Sequence, residues 1–116
     1  MSYDINIGNN DFNITYNVAD MFYKHNEKGI RFHYGKNGLE ASVILIDMYH
    51  FFLDNHEELK KLNPTNGWGS WSHTVDTLNE MIKASISNPL EIWEGDWMSK
   101  TLTILKEVVT KDRKDK

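Results

Sequence analysis

The segment Asn63–His73 most constrains the fold, because turn-forming residues fill it and strong helical patterns flank it. Asn63-Pro64 ends the preceding helix, since the residue before a proline is biased away from helical backbone. Gly67 and Gly69 give the backbone freedom in φ on either side of Trp68, so the chain can turn sharply there and present the indole. The pattern predicts either an aromatic displayed for a partner or a plug over the core, and we favour display.

The helical patterns on both sides of this segment are distinct. Residues 39–62 carry apolar side chains on most sides of the first half, which predicts a long, largely buried central helix. A second helix is predicted from Ser70, acting as its N-cap, to the stop at Asn88-Pro89. Its predicted apolar face consists of Trp71, Val75, Leu78, Ile82 and Ile86.

The N-terminal residues alternate between apolar and polar in the manner of a β-hairpin. The alternation covers residues 3–7 and 12–16, with a turn at residues 8–11. A two-stranded hairpin is only marginally stable alone, so we expect its apolar face to pack on the helices. Asn17 is expected to cap a short helix from Val18 to about His25.

The remaining segments are less regular. Residues 30–34 are expected to form a short strand or an ordered connection, and residues 90–93 an extended segment. A final amphipathic helix is expected from Trp97. The predicted fold is therefore α+β, with an N-terminal β-hairpin packed on a long central helix and two further helices. Residues 1–110 form the single globular domain, and residues 111–116 form a charged flexible tail.

Composition and charge exclude several classes of protein. The 116 residues include no cysteine, so disulfides and thiolate chemistry are excluded. The net charge is −4, and because the last six residues hold four bases and two acids, residues 1–110 carry −6. An acidic body disfavours a phosphate backbone, so no nucleic-acid partner is expected. No apolar run spans a bilayer and no signal peptide is present, so we expect no membrane association and a cytoplasmic location.

Two polar constellations are candidates for chemistry, and each has a simpler interpretation. Asp47, His50 and Asp54 share one face of the long helix, where they form either an ion site or a solvated polar seam. His73 and Asp76 lie beside Ser70, as either a nucleophilic set or an N-cap with a favourable helix dipole. We favour the simpler interpretation in both cases, so no metal, cofactor or catalytic residue is expected.

The four tryptophans divide by their position in these patterns. Trp71 begins the apolar face of its helix and is expected in the core, whereas Trp68 lies off that periodicity and is expected at the surface. Trp93 and Trp97 bracket Glu-Gly-Asp and are expected to close over one edge of the core. Tryptophan is favoured where one side of the ring is buried and the other is wet, which includes recognition sites.

Three segments carry a resemblance to a known group of proteins: the opening Tyr3–Gly8, the stretch Phe12–Val18 followed by Met21–Tyr23, and Asn66-Gly-Trp-Gly-Ser70. Over residues 3–89 the chain resembles a group of small proteins encoded by bacteriophages and prophages. The group has no defined chemistry, so it implies no catalytic residue. It implies an accessory protein in the cytoplasm of an infected bacterium, where such proteins often bind host factors, including defence systems.

These observations lead to one functional hypothesis and two alternatives. The first is a non-enzymatic phage-type accessory protein that binds and modulates a host protein, with a homodimer expected and a monomer as the alternative. The second is a binder of a small molecule, such as a nucleotide-type signal, in an aromatic pocket around Trp68 and Tyr34. The third is an enzyme using His73 or the Asp47–His50 pair. The predicted binding residues are Asn66, Gly67, Trp68, Gly69, Trp71, His73 and Tyr34.

Overall fold

The computed structural model describes residues 2–95, so the helix predicted from Trp97 and the tail at residues 111–116 lie outside the described residues. The α+β prediction is confirmed, with an N-terminal hairpin and a long central helix. The elements are β1 (Ser2–Ile7), β2 (Asn10–Thr15), α1 (Ala19–Tyr23), α2 (Gly38–Asp54), α3 (His56–Lys60), α4 (Trp71–Ser87) and β3 (Glu94–Gly95), with 3-10 helices at Tyr16–Val18 and Gly29–His33.

The hairpin prediction is confirmed, and β1 is the central strand of an antiparallel sheet in the order β2-β1-β3. Its turn contains only Gly8 and Asn9 and is shorter than expected; Gly8 has a φ of 57°, a conformation that glycine adopts readily. Alternate β1 side chains are buried, so one face of the sheet belongs to the core. Ile5 of β1 pairs with Phe12 of β2 and with Gly95 of β3.

The connection after the hairpin differs from the prediction. Asn17 does not cap a helix; its backbone N–H instead donates to Thr15 Oγ1 at 3.3 Å, and no side chain caps α1. The predicted strand or connection at residues 30–34 is mostly a 3-10 helix. Ile30 and His33, three residues apart, are both buried, which fits the period of a 3-10 helix and not that of a strand.

The long central helix ends earlier than the apolar pattern predicts. α2 stops at Asp54, and Asn55 leaves helical geometry before α3 begins at His56. The carbonyl oxygen of Phe51 accepts from the Asn55 backbone N–H at 3.0 Å and also from the Asn55 side-chain amide at 2.9 Å, so both groups of Asn55 close the last turn of α2. At the other end Asn37 and Glu40 form a capping box, which fixes where α2 begins.

Helices α2 and α4 pack with the beginning of α2 against the end of α4. A Cβ on Gly38 would lie 2.1 Å from the carbonyl oxygen of Asn88, so only glycine allows this approach. The Ser85 hydroxyl donates to the carbonyl oxygen of Gly38 and accepts from Trp93 Nε1 at 3.1 Å. The fully buried Trp93 is therefore tied to both helices, and it lies in the core, beyond the edge position predicted for it.

The buried face of α4 is rotated relative to the predicted one. Val75 and Leu78 are buried as expected, but Ile86 is 59% exposed, and the buried line runs instead through Met81 and Ser85. The Ser85 side chain can be buried because its hydroxyl makes two hydrogen bonds. A polar residue therefore occupies the buried position that the apolar pattern predicted for Ile86. Among residues 2–95, no helix has the length and apolar character needed to cross a membrane.

Candidate functional site

The Trp68 loop, residues 63–70, displays one aromatic side chain on a constrained backbone. Gly67 and Gly69 have φ values of 77° and 98°, in the left-handed region that favours glycine. The backbone N–H of Trp68 donates to Asn66 Oδ1 at 2.9 Å. The Trp68 side chain is 72% exposed, as the bracketing glycines predict.

The loop is fastened to the domain through its backbone. Asn17 donates from its side chain to the Trp68 carbonyl oxygen at 3.3 Å. A Cβ on Gly69 would lie 2.7 Å from Thr15 Cγ2, so the loop touches the end of the hairpin closely. Because these contacts use backbone atoms, the Trp68 ring is left available to a partner.

The other end of the loop starts α4. Ser70 is the N-cap, as predicted, because its hydroxyl accepts from the His73 backbone N–H at 3.1 Å. Trp71 is half-buried, and its indole N–H donates to the carbonyl oxygen of Phe52 at 3.0 Å. The Lys60 ammonium lies 4.6 Å from the Trp71 ring centroid and covers part of it.

The predicted binding residues therefore separate into two places. Asn66, Gly67, Trp68, Gly69, Trp71 and His73 lie in or beside the Trp68 loop. Tyr34 instead packs edge-on against His33, with its ring over Gly95, where a Cβ would approach within 2.0 Å. Tyr34 lines a different surface feature.

That feature is a cationic cleft of about 510 Å³ beside α1 and the Gly29–His33 3-10 helix. Its lining residues are Tyr23, Glu27, Lys28, Arg31, Phe32, Tyr34 and Lys36. The three cations were missed as site residues. The signal that could have revealed them is the run of residues 28–36, in which bases alternate irregularly with aromatics.

A third surface is the α2 stripe, formed by Leu39, Val43, Ile46 and Leu53. These side chains are exposed by 64%, 69%, 37% and 37%, although each is apolar. With the exposed His50 they follow spacings of four, three, four and three residues, so they share the face of α2 opposite its buried side. Glu40, Asp47 and Asp54 run along one flank of this stripe.

Asp47 and His50 of the first polar constellation have different surroundings. Asp47 pairs with His25 Nε2 at 2.7 Å, a residue that the helical pattern could not connect to it, and His50 is exposed within the α2 stripe. Across the part of the chain that the structure describes, no three His, Asp or Glu side chains converge as a metal site would require.

Burial perturbs two titratable groups outside these surfaces. Burial lowers the pKa of His33 to about 3, because its ring lies among Trp93 and Tyr34 and cannot be solvated when charged; the nearby Lys36 ammonium acts in the same direction. Burial also raises the pKa of Tyr3 to about 12, aided by its hydrogen bond with Tyr23. Both groups are therefore neutral near pH 7.

No family model, curated protein or solved structure matches this chain.

Proposed function

We propose that this chain is a non-enzymatic, phage-type accessory protein that binds and modulates a host-cell protein through the Trp68 loop. The observation that carries the proposal is the 72% exposure of Trp68 on a loop whose backbone is held by side-chain hydrogen bonds. A preorganised aromatic loses little conformational entropy on binding, which is why such residues act as anchors. The sequence resemblance supports the host context and a cytoplasmic location.

Capture of the partner from a bacterial lysate tests this function, with Trp68→Ala as the deciding variant. Truncating an aromatic anchor typically costs about 2 kcal/mol or more, so the affinity should fall roughly 30-fold. Ile86→Ala is the matched control, because it removes another exposed apolar side chain from a different surface. A host protein retained by wild type and Ile86→Ala but lost from Trp68→Ala is the expected result. Equal retention by all three chains would refute the assignment.

The α2 stripe supports a second proposal, that two copies of the chain pair along this helix. Its four-three spacing is that of a two-helix seam, and a stripe shared by identical chains is self-complementary. Antiparallel pairing would set the acidic flank of one copy against that of the other. Parallel pairing does not set the two acidic flanks against each other, so the parallel dimer is the one we propose.

Light scattering at micromolar concentration tests the dimer. The wild-type mass should approach twice the 13.6 kDa chain mass, and Ile46→Glu should return it to that of one chain. Glu57→Gln is the control, because Glu57 is exposed and does not belong to the α2 stripe. This variant should have the same mass as the wild type. A wild-type mass near that of one chain would refute the dimer without affecting the Trp68 proposal.

A further inference from the structure

We propose that the cationic cleft binds a small phosphorylated ring compound of the nucleotide class. The cleft and the Trp68 loop share no lining residue, so this inference is independent of the proposed function. Its volume of about 510 Å³ falls within the roughly 300–1,000 Å³ range of small-molecule sites.

The charge of the cleft is opposite to that of the surrounding surface. Residues 2–95 contain seven Lys or Arg and thirteen Asp or Glu. Three of those seven cations, Lys28, Arg31 and Lys36, line the cleft, and Glu27 is the acid among its lining residues. Within the described part of the chain none of the three forms an ion pair. Uncompensated positive charge in a concave site attracts an anion.

The cations are held in place by aromatic rings. The ammonium groups of Lys28 and Lys36 lie 5.9 and 5.3 Å from the centroid of the same Phe32 ring. Lys36 also donates to the Phe32 carbonyl oxygen at 3.3 Å. The Arg31 guanidinium lies 5.0 Å from the Tyr3 ring, and its Nε is buried without a hydrogen-bond partner in the described residues. Both ammonium groups therefore lie beside the Phe32 wall of the cleft, where their charges attract an anionic group.

The aromatic wall makes a ring-bearing ligand more suitable than a simple anion. Tyr23 lines the cleft and is 47% exposed. The Cδ1–Cε1 edge of its ring lies against Gly29, where a Cβ would lie 3.0 Å from Tyr23 Cε1. A ring that is held along one edge and is otherwise half exposed offers a surface on which a base can stack.

The overall charge selects a small ligand over a nucleic acid. A polynucleotide would have to extend past the cleft over a surface with a net excess of acids, which its phosphates would avoid. A mononucleotide would place its phosphates at Lys28 and Lys36 and remain inside the positive region.

Isothermal titration calorimetry of the full chain with ADP, adenosine and inorganic phosphate tests the site. ADP should bind at least about 10-fold more tightly than either fragment, because only ADP engages both the cations and the aromatic wall. Comparable binding of inorganic phosphate and ADP would remove the ring from the assignment. No binding of any probe at about 1 mM would overturn the site altogether.

Two double variants localise the binding. Lys28→Gln with Lys36→Gln should weaken ADP binding at least about 10-fold, since the variant loses two charge-assisted hydrogen bonds to the phosphates. Lys61→Gln with Lys83→Gln is the matched control, because it removes the same charge from exposed lysines outside the cleft and should change affinity less than about 2-fold. Equal weakening by both variants would refute the site, as would tighter binding of a short single-stranded oligonucleotide than of ADP.

Discussion

Trp68 and Trp93 both lie in irregular segments near glycine, yet Trp68 is 72% exposed and Trp93 is completely buried. Trp93 has what a buried indole requires: Ser85 accepts its N–H, and the rings of His33 and Phe12 lie 4.9 and 5.8 Å away. The Trp68 segment is fastened through backbone atoms instead. A nearby glycine therefore predicts a turn. Whether the tryptophan beside that turn is buried depends on the part of the domain against which the segment packs.

The largest effect is expected from removing the buried ring. Trp93→Ala should lower the free energy of unfolding by about 3–5 kcal/mol, because it leaves a cavity between both helices and the sheet. Chemical denaturation measures this loss directly. A change below about 1 kcal/mol would show that Trp93 is not the core residue that this comparison requires.

A smaller loss of stability is expected when a side chain is added at Gly38, where α2 closely approaches the end of α4. Gly38→Ala places a methyl group 2.1 Å from the Asn88 carbonyl oxygen, so the backbone must shift, at a cost of about 3 kcal/mol. Ile86→Ala is the control, since Ile86 is 59% exposed and its truncation should cost less than about 1 kcal/mol. Equal thermal unfolding of the two variants would contradict the close approach.

Acidification should lower the free energy of unfolding through His33, the buried histidine that packs against Trp93. The folded-state pKa is about 3 and the ordinary pKa is 6.5, so below pH 6.5 the unfolded chain binds the proton more readily. The stability contributed by neutral His33 is present above pH 6.5 and is lost as the pH falls towards 3. Between pH 7.5 and pH 5 the loss should be about 2 kcal/mol.

Denaturation at several pH values measures this effect. His33→Gln should flatten the dependence, whereas His73→Gln, which changes an exposed histidine, should preserve it. An unchanged slope in His33→Gln would assign the acid sensitivity to other groups.

The smallest stability effect is expected at Trp68. Trp68→Ala should change the free energy of unfolding by less than about 1 kcal/mol, because truncating an exposed ring leaves no cavity. A melting curve of this variant beside that of Trp93→Ala would measure the contrast in one experiment. A loss of several kcal/mol would make the Trp68 loop a structural lid and remove the argument for a binding site there.

The elements that the sequence predicts well are those with a strong local cause. Alternation predicts the hairpin, and the Ser70 cap with the stop before Pro89 predicts α4. The break at Asn55 could not be predicted, since no glycine or proline marks it and the contact that the Asn55 side chain adds to the Phe51 carbonyl is visible only in the structure. Ile86 was misassigned because apolar spacing does not reveal that Ser85 hydrogen-bonds across to α2.

The Trp68 loop and the cationic cleft also differ in how well the sequence predicts them. Exposure of Trp68 follows from two neighbouring glycines, which are visible in the sequence. The cleft depends on a 3-10 helix bringing Lys28 and Arg31 to one side with Lys36, and that helix was expected to be a strand or a connection. The His25–Asp47 contact joins residues far apart in sequence, so only tertiary packing creates it.

The sheet order β2-β1-β3 has a consequence for how the chain folds during synthesis. β1 is translated well before β3 (Glu94–Gly95), its second neighbour, so that edge of β1 remains open until residue 95 has left the ribosome. Trp93 and the α4 segment that receives it also emerge late, which leaves the core incomplete around a nascent hairpin. An unpaired strand edge is a template for association with other chains. The protein therefore depends on its last described residues to protect its first ones.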